Sequence, residues 1–126
     1  MMTLAMWSGL VLLGGLAIFQ ILLAVGFPLG RFAWGGKHRV LPGKLRLSSL
    51  ASVAILGVAA WILLARAGHV APGSEPLVVR IIAWVFTGYF GLNVLMNLAS
   101  KSRLERAVMT PVALLLAACF LGVNLA

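Results

Sequence analysis

The stretch MMTLAMWSGLVLLGGLAIFQILLAVGFPLG, residues 1–30, contains no charged side chain within a sequence of 126 residues. An α-helix rises about 1.5 Å per residue, so about 20 apolar residues are enough to cross the hydrocarbon core of a bilayer. Three further uncharged intervals have about this length, and they cover residues 47–65, 81–100 and 107–126. The sequence therefore predicts an all-α integral membrane protein, a bundle of four transmembrane helices.

The composition agrees with four membrane spans and excludes a soluble domain. Hydrophobic residues make up 63% of the chain and charged residues 10%, whereas soluble domains are about 45–50% apolar and about 25% charged. Four spans leave little room for anything else, so residues 1–126 are predicted to form a single domain. Its transmembrane helices are expected at about residues 4–27, 46–66, 78–99 and 104–125.

The basic residues predict how the bundle is oriented in the membrane. Of the ten Lys and Arg residues, only Arg66 and Arg80 flank the second loop. The others flank the first and third loops, and they are Arg31, Lys37, Arg39, Lys44, Arg46, Lys101, Arg103 and Arg106. Because cytoplasmic loops are enriched in Lys and Arg, the first and third loops are expected in the cytoplasm. Both termini then lie outside, in an N-out/C-out topology.

Residues typical of enzyme active sites are few and far apart. The acidic residues are Glu75 and Glu105, and the histidines are His38 and His69. The predicted topology places each pair on opposite sides of the bilayer, so neither a carboxylate pair nor a shared metal site is expected. Glu105 also fits a capping box S-x-x-E, in which it would reach back to the N–H of the N-cap residue Ser102. We therefore predict no enzyme activity, no metal and no cofactor.

A group of amides lies within the predicted spans. Gln20 on the first helix and Asn93 on the third are expected at similar depth, in the cytoplasmic third of the bilayer. Asn97 and Lys101 follow Asn93 at four-residue intervals and therefore share one face of the third helix. The group is typical of hydrogen bonds between helices, and it also fits a polar vestibule open to the cytoplasm. The sequence leaves both interpretations open.

The first loop, GRFAWGGKHRVLPGKLR at residues 30–46, is a second candidate site. Basic clusters on the cytoplasmic side of a span contact anionic lipids, and each charge contributes about 1 kcal/mol near the surface. The pair Gly35 and Gly36 would allow backbone amides to form an anion nest beside Lys37 and Arg39. A plain topology signal is the favoured interpretation, and a specific site for a lipid phosphate or a small anion is the alternative. Nucleic acid is not an expected partner.

The candidate binding residues come from the first loop, the amide group and the third loop. They are Arg31, Trp34, Gly35, Gly36, Lys37, His38, Arg39, Gln20, Asn93, Asn97, Lys101 and Arg103. We expect them to serve a non-enzymatic binding or transport module for an anionic lipid or a small anion on the cytoplasmic side. The alternative is an accessory or structural membrane subunit with no ligand of its own. A membrane enzyme that uses Glu105, His38 and Arg39 ranks third.

Two stretches, WGGKHRVLPGKLR at residues 34–46 and NLASKSRLERAVMTPV at residues 97–112, resemble a group of small four-span bacterial membrane proteins of unknown function. The resemblance covers most of the chain. It implies the four-helix topology and a multi-pass location in the bacterial cytoplasmic (inner) membrane, but no activity and no site residues. The expected partners are membrane lipids with anionic headgroups, together with a second copy of the chain in a homo-oligomer or a larger membrane protein.

Overall fold

Four long α-helices account for most of the molecule. The computed structural model describes residues 2–68 and 76–125. Within these ranges no strand occurs, and the helices are α1 (Met2–Ala24), α2 (Gly43–Arg66), α3 (Pro76–Leu98) and α4 (Arg103–Leu125). Each helix is long and apolar enough to cross a membrane. The prediction of an all-α, four-helix membrane bundle is confirmed, and the chain is a multi-pass membrane protein.

The helices form an antiparallel bundle in which each packs against the next along the chain, and α4 returns to α1. The closest-packed neighbours are α3 with α4 and α1 with α2, whereas α2 and α3 are the least closely packed neighbouring pair. The end of α1, the start of α2, the end of α3 and the start of α4 share one end of the bundle. We call it the basic end, because it carries eight of the ten Lys and Arg residues.

Aromatic side chains fill the middle of the bundle. Phe90 on α3 and Phe120 on α4 are almost fully buried, and their ring centroids lie 5.5 Å apart. Phe86 stacks on Phe120 with a centroid separation of 5.7 Å. Aromatic pairs at such distances contribute about 0.5–1.5 kcal/mol beyond their buried area. The outer faces are apolar as well, and Val11 is 72% exposed, because lipid rather than water surrounds a membrane bundle.

A glycine brings three of the helices close together. Gly9 of α1 is buried where this helix meets α2 and α4. A Cβ at Gly9 would lie 2.6 Å from Leu63 Cδ2 and 3.3 Å from Cys119 Cβ. Membrane helices associate through van der Waals packing of this kind, since burial of apolar surface from water does not drive them together. The spacing of α1 from its neighbours therefore depends on Gly9.

The first helix ends at Ala24 rather than at the predicted residue 27. Gly26 adopts a left-handed backbone with a φ of 101°, a conformation that glycine tolerates best. The N–H of Gly26 donates to the Leu23 carbonyl at 3.2 Å, and the N–H of Phe27 donates to the Leu22 carbonyl at 3.0 Å. These two bonds form a Schellman motif. The apolar sequence therefore continues past the end of the helix.

The remaining helix boundaries lie within three residues of the predicted ones. The second helix begins at Gly43 rather than at residue 46, because Pro42 with its extended backbone (ψ 164°) serves as the N-cap. A fixed φ suits proline to the start of a helix. The third helix ends one residue earlier than predicted, at Leu98, and the fourth begins one residue earlier, at Arg103.

In the structure the first loop spans residues 25–42, from the end of α1 to the start of α2, and it folds back onto the basic end. Two 3₁₀ turns, Gly30–Phe32 and Trp34–Gly36, shape this segment. The Gly30 N–H donates to the Arg39 carbonyl at 2.8 Å and closes the loop on itself. An apolar cluster holds the loop against α1, and its buried members are Leu23, Ala33 and Leu41. The backbone that bears the basic residues of the loop is therefore held in place by packing against α1.

At the opposite end of the bundle, one side chain links three helices. Asn124 of α4 donates from Nδ2 to Thr87 Oγ1 on α3 at 2.8 Å. Arg66 of α2 donates to Asn124 Oδ1 at 3.2 Å and to the Asn124 carbonyl at 2.9 Å. A positive charge is favourable at the C-terminus of a helix, where carbonyls lack partners. Arg66, Asn124 and Thr87 therefore supply hydrogen-bond partners to one another.

We predict that Asn124→Leu destabilises the bundle by about 1–3 kcal/mol, because it removes hydrogen bonds to Thr87 and to a charged guanidinium. The free energy of unfolding in detergent, followed by circular dichroism, measures the effect. Leu125→Ala is the matched control, since Leu125 is the adjacent residue and is 70% exposed. Equal destabilisation by the two substitutions would contradict the linking role of Asn124.

Candidate functional site

A cleft of about 390 Å³ at the basic end gathers residues from two loops that are distant in sequence. The first loop forms one wall, and the connection from α3 to α4 forms the other together with the start of α4. The lining residues are Arg31, Gly35, Gly36, Lys37, Lys101, Ser102, Arg103 and Leu104. Half of the twelve candidate residues from the sequence meet here. We call this site the basic cleft.

Four cationic side chains line the basic cleft, and no acidic side chain lines it among the described residues. Arg31 and Lys37 come from the first loop, Lys101 and Arg103 come from the other wall, and all four are exposed. Like charges that share one cleft repel one another, so an anion bound between the walls would relieve the repulsion. Phosphate oxygens suit both guanidinium and ammonium donors. The cleft therefore favours an oxyanion with several acceptor atoms.

Ser102 holds the two walls of the cleft together. Its hydroxyl donates a hydrogen bond to the Arg31 carbonyl and accepts one from the Glu105 N–H at 3.3 Å. The second bond is an N-cap of α4, as the sequence predicts. One hydroxyl therefore caps a helix and fixes the first loop against it.

The other half of the predicted capping box is wrong. The Ser102 N–H donates to Ser100 Oγ at 3.1 Å rather than to the Glu105 carboxylate. Because Ser100 already satisfies this N–H, the Glu105 side chain is not needed at the cap. Glu105 is instead only 8% exposed and lines a cavity inside the bundle.

The paired glycines shape the cleft, and the Gly36 N–H takes no part in an anion nest. Gly35 and Gly36 both have left-handed backbones, with φ values of 79° and 73°. Gly36 lies against the Ser102 side chain so closely that a Cβ would collide with it. The Gly36 N–H donates to the Ala33 carbonyl at 2.9 Å and is therefore not free to bind an anion. The predicted nest is not formed at Gly36, and side chains supply the donors of the cleft.

Two of the candidate residues, His38 and Arg39, lie away from the cleft. Both side chains are exposed, and their backbone carbonyls pack against Gly30. Neither residue lines the cavity that contains Glu105, so the three groups do not form a common acid–base site. His69 and Glu75 lie outside the described residues.

A second cavity, of about 630 Å³, adjoins the basic cleft at Gly35, which lines both. All four helices and the first loop contribute to its wall. Its polar lining residues are Gln20, Trp34, Ser52, Tyr89, Asn93, Asn97, Ser100 and Glu105. We call it the inner cavity. It brings together Gln20, Asn93 and Asn97, the amides that the sequence singles out, whereas Lys101 lines the cleft.

The sequence leaves two interpretations of the amides open, hydrogen bonds between helices and a polar vestibule. Asn97 fits the first, and Gln20 fits the second. Asn97 Nδ2 donates to the Met109 carbonyl of α4 at 3.3 Å, a hydrogen bond between helices. Gln20 Oε1 is buried and has no hydrogen-bond partner among the described residues. A buried acceptor without a partner costs about 1–3 kcal/mol. The oxygen is not accessible from the cavity in this conformation, but rotation of the Gln20 amide, which lines the cavity, would present it to a ligand that donates a hydrogen bond.

Glu105 was not among the predicted binding residues and was named only for the third-ranked membrane enzyme, although its spacing indicated that it lines the bundle interior. Glu105, Met109, Val112 and Leu116 all line the inner cavity. Their spacing of four, three and four residues places them on one face of a helix. A buried ionisable residue in a membrane domain is a candidate for function. The local capping pattern of Ser102 concealed this longer periodicity.

Trp34 ties the first loop to α2 beside the inner cavity. Its indole N–H donates to Ser49 Oγ at 3.1 Å, and Ser49 is fully buried. The backbone of Trp34 is left-handed, with a φ of 52°, which is uncommon outside glycine and costs about 1–2 kcal/mol. The indole bond and the apolar cluster of the loop hold the residue in this conformation.

The fold and its two adjoining sites define a four-span membrane protein with a basic cleft next to an inner cavity. Among the described residues, no group of three or more His, Cys, Asp or Glu side chains is placed to hold a metal ion. No protein-family model matches the chain, and the comparisons with curated proteins and with solved structures also give no match.

We predict that Gly36→Ala releases the first loop from α4, whereas Gly35→Ala leaves it in place. Both substitutions put alanine in a left-handed conformation, which costs about 1–2 kcal/mol. Only a Cβ at Gly36 meets Ser102, since nothing lies within 4 Å of a Cβ at Gly35. Amide hydrogen exchange in the first loop and at the start of α4 measures the difference. Equal exchange in the two variants would show that the contact with Ser102 is unimportant.

Proposed function

We propose that this protein is a non-enzymatic membrane module that binds a phosphate-bearing anion, either a lipid headgroup or a small phosphate, in the basic cleft. The observation that carries the proposal is the convergence of Arg31, Lys37, Lys101 and Arg103 around one cleft. These residues come from the first loop and from the connection between α3 and α4 with the start of α4, which the Ser102 hydroxyl joins to the first loop. A topology signal requires only that the charges share one side of the membrane, not that they surround a cleft with fixed walls.

The size and donors of the cleft support a phosphate ligand. Its volume of about 390 Å³ lies within the range of about 300–1,000 Å³ that is usual for ligand pockets. Arginine forms paired hydrogen bonds to phosphate, and lysine adds a compact charge. Each wall provides one arginine and one lysine. A phosphate between the walls would therefore meet both kinds of donor from both sides.

Binding rather than catalysis is proposed because the Ser102 hydroxyl is already engaged in hydrogen bonds and has no base beside it. A serine nucleophile needs an adjacent base to accept its proton. The Ser102 hydroxyl donates a hydrogen bond to the Arg31 carbonyl, which is no base, and neither histidine nor a carboxylate is among the described residues that line the cleft. These contacts favour a fixed structural role for Ser102.

The same charges support an orientation in the membrane. Since cytoplasmic loops are rich in Lys and Arg, we place the basic end in the cytoplasm and both termini outside. The resemblance to small bacterial four-span proteins supports the inner membrane as the location. The ligand would then come from the cytoplasm or from the inner leaflet.

The test compares two pairs of substitutions that remove the same charge from the basic end. Arg31→Gln with Lys37→Gln neutralises two residues of the cleft. Arg39→Gln with Lys44→Gln neutralises two exposed residues that do not line it. Native mass spectrometry of the full chain in detergent measures binding of oleoyl lysophosphatidate, a phosphate lipid, and separately of inorganic phosphate.

We expect the cleft pair to weaken lysophosphatidate binding about 30-fold, since two charges at about 1 kcal/mol each contribute about 2 kcal/mol. The control pair is expected to change it about threefold or less. Equal loss in both pairs would indicate general surface charge and favour the accessory subunit without a ligand. No loss in either pair would overturn the proposal. Binding of inorganic phosphate that the cleft pair also weakens would identify the small anion as a ligand.

A further inference from the structure

We infer that the inner cavity is the chain-binding half of the same site, and that the ligand is a single-chain phosphate lipid with a free hydroxyl, as in a lysophospholipid. The inference rests on the proposed function, because the basic cleft fixes the position of the phosphate. The hydroxyl and the ester lie at the polar residues of the inner cavity. The acyl chain lies among its apolar residues.

The cleft and the inner cavity adjoin at Gly35, and we infer that the two communicate there. Gly35 lines both of them. In the first turn of α4, Arg103 lines the cleft and Glu105 lines the cavity. Two residues within one helical turn are only a few ångströms apart along the helix axis. One ligand can therefore contact both sites at once.

From the basic cleft inward, the lining residues change from charged to polar to apolar. A single-chain phosphate lipid changes in the same order along its length. With a rise of about 1.5 Å per residue, Glu105 lies about 3 Å and Leu116 about 20 Å deeper in the bundle than Arg103. Gln20, Asn93 and Asn97 lie in the last two turns of α1 and α3, near the basic end. The deeper walls are apolar and include Leu16, Leu56, Phe90 and Leu116. Phosphate, glycerol ester and hydrocarbon chain follow one another in this order.

We place the opening of the inner cavity to the bilayer between α2 and α3. Three of its lining residues on the helices are exposed, Ile55 by 42%, Tyr89 by 43% and Met96 by 62%. Ile55 belongs to α2 and the other two belong to α3, the least closely packed neighbouring pair. The lining residues of α1 and α4 are buried or half-buried. A lipid chain can therefore enter from the bilayer through this opening.

The acceptors of the cavity favour a ligand with a hydroxyl. Gln20 Oε1 is buried without a partner among the described residues, and Glu105 adds carboxylate oxygens to the same wall. The ester groups of a two-chain phospholipid contain no donor and cannot satisfy these oxygens. The free glycerol hydroxyl of a lysophospholipid donates to one of them, and its ester carbonyl accepts from an amide such as that of Asn93. The single-chain lipid is therefore the better match.

The test uses the full chain in detergent with two lipids that differ in the predicted contact. Oleoyl lysophosphatidate carries the hydroxyl, and oleoyl propanediol phosphate has the same chain, ester and phosphate but no hydroxyl on its three-carbon backbone. Ser52→Phe fills the inner cavity. Ser48→Phe is the matched control, because both serines donate to the backbone one turn earlier in α2, at 3.1 Å each, but Ser48 does not line the cavity. Native mass spectrometry measures the affinity of each lipid.

Wild-type protein is expected to bind oleoyl lysophosphatidate about fivefold or more tightly than oleoyl propanediol phosphate, and Gln20→Leu is expected to remove this preference. Ser52→Phe is expected to weaken both lipids about tenfold or more, and Ser48→Phe to leave them unchanged. Equal binding of the two lipids by the wild type would overturn the hydroxyl assignment. Unchanged binding in Ser52→Phe would overturn the chain site, while the proposed function would stand if the cleft pair weakens binding. A cleft pair without effect would contradict the proposed function itself.

The fluorescence of Trp34 provides a second test, which requires no substitution in the lining of the inner cavity. Trp34 lines the inner cavity, and replacement of Trp7, Trp61 and Trp84 by Phe leaves it as the single tryptophan. One equivalent of lysophosphatidate with a brominated chain is expected to quench its fluorescence. A companion variant that retains Trp61, an exposed residue near the opposite end of α2, is expected to show much weaker quenching. Equal quenching of the two, or none at Trp34, would overturn the inference.

Discussion

The hydroxyl of Ser102 joins the two parts of the chain from which the site is built. It donates to the Arg31 carbonyl and accepts from the Glu105 N–H, so one atom both caps α4 and positions the first loop. Gly36 allows the loop to approach this residue, because a side chain there would collide with it. Without the contact, the basic residues of both loops would share a side of the membrane but would not surround a cleft.

Buried polar groups are hydrogen-bonded to one another at one end of the bundle and line a cavity at the other end. This difference supports the proposed position of the ligand. Polar groups within a membrane are costly unless they are hydrogen-bonded. At one end, Arg66, Asn124 and Thr87 satisfy one another across three helices. At the basic end, Gln20 and Glu105 line an open cavity instead. A closed network needs nothing further, whereas an open set of acceptors can recognise a donor.

The fold is readable from the sequence because bilayer thickness dictates the length of the uncharged intervals. The end of the first helix is less readable, since the backbone of Gly26 terminates it within an apolar run. The charges of the site are visible in sequence, but their shared cleft depends on the contact of Ser102 with Arg31, which local patterns do not encode. The place of Glu105 in the inner cavity was not predicted, because the capping pattern assigns its carboxylate to the Ser102 N–H, whereas Ser100 Oγ accepts that hydrogen bond.

The most direct test of this account is the distance between the phosphorus of a bound phosphate lipid and the guanidinium nitrogens of individual arginines. Solid-state NMR of the full chain in bilayers, with nitrogen-labelled arginine and bound oleoyl lysophosphatidate, measures it, and Arg→Lys variants assign each contact. The account predicts that Arg31 and Arg103, one from each wall of the cleft, both lie within hydrogen-bonding reach of the phosphate. Contact with neither of them, or with Arg39 alone, would contradict a phosphate site built between the two loops.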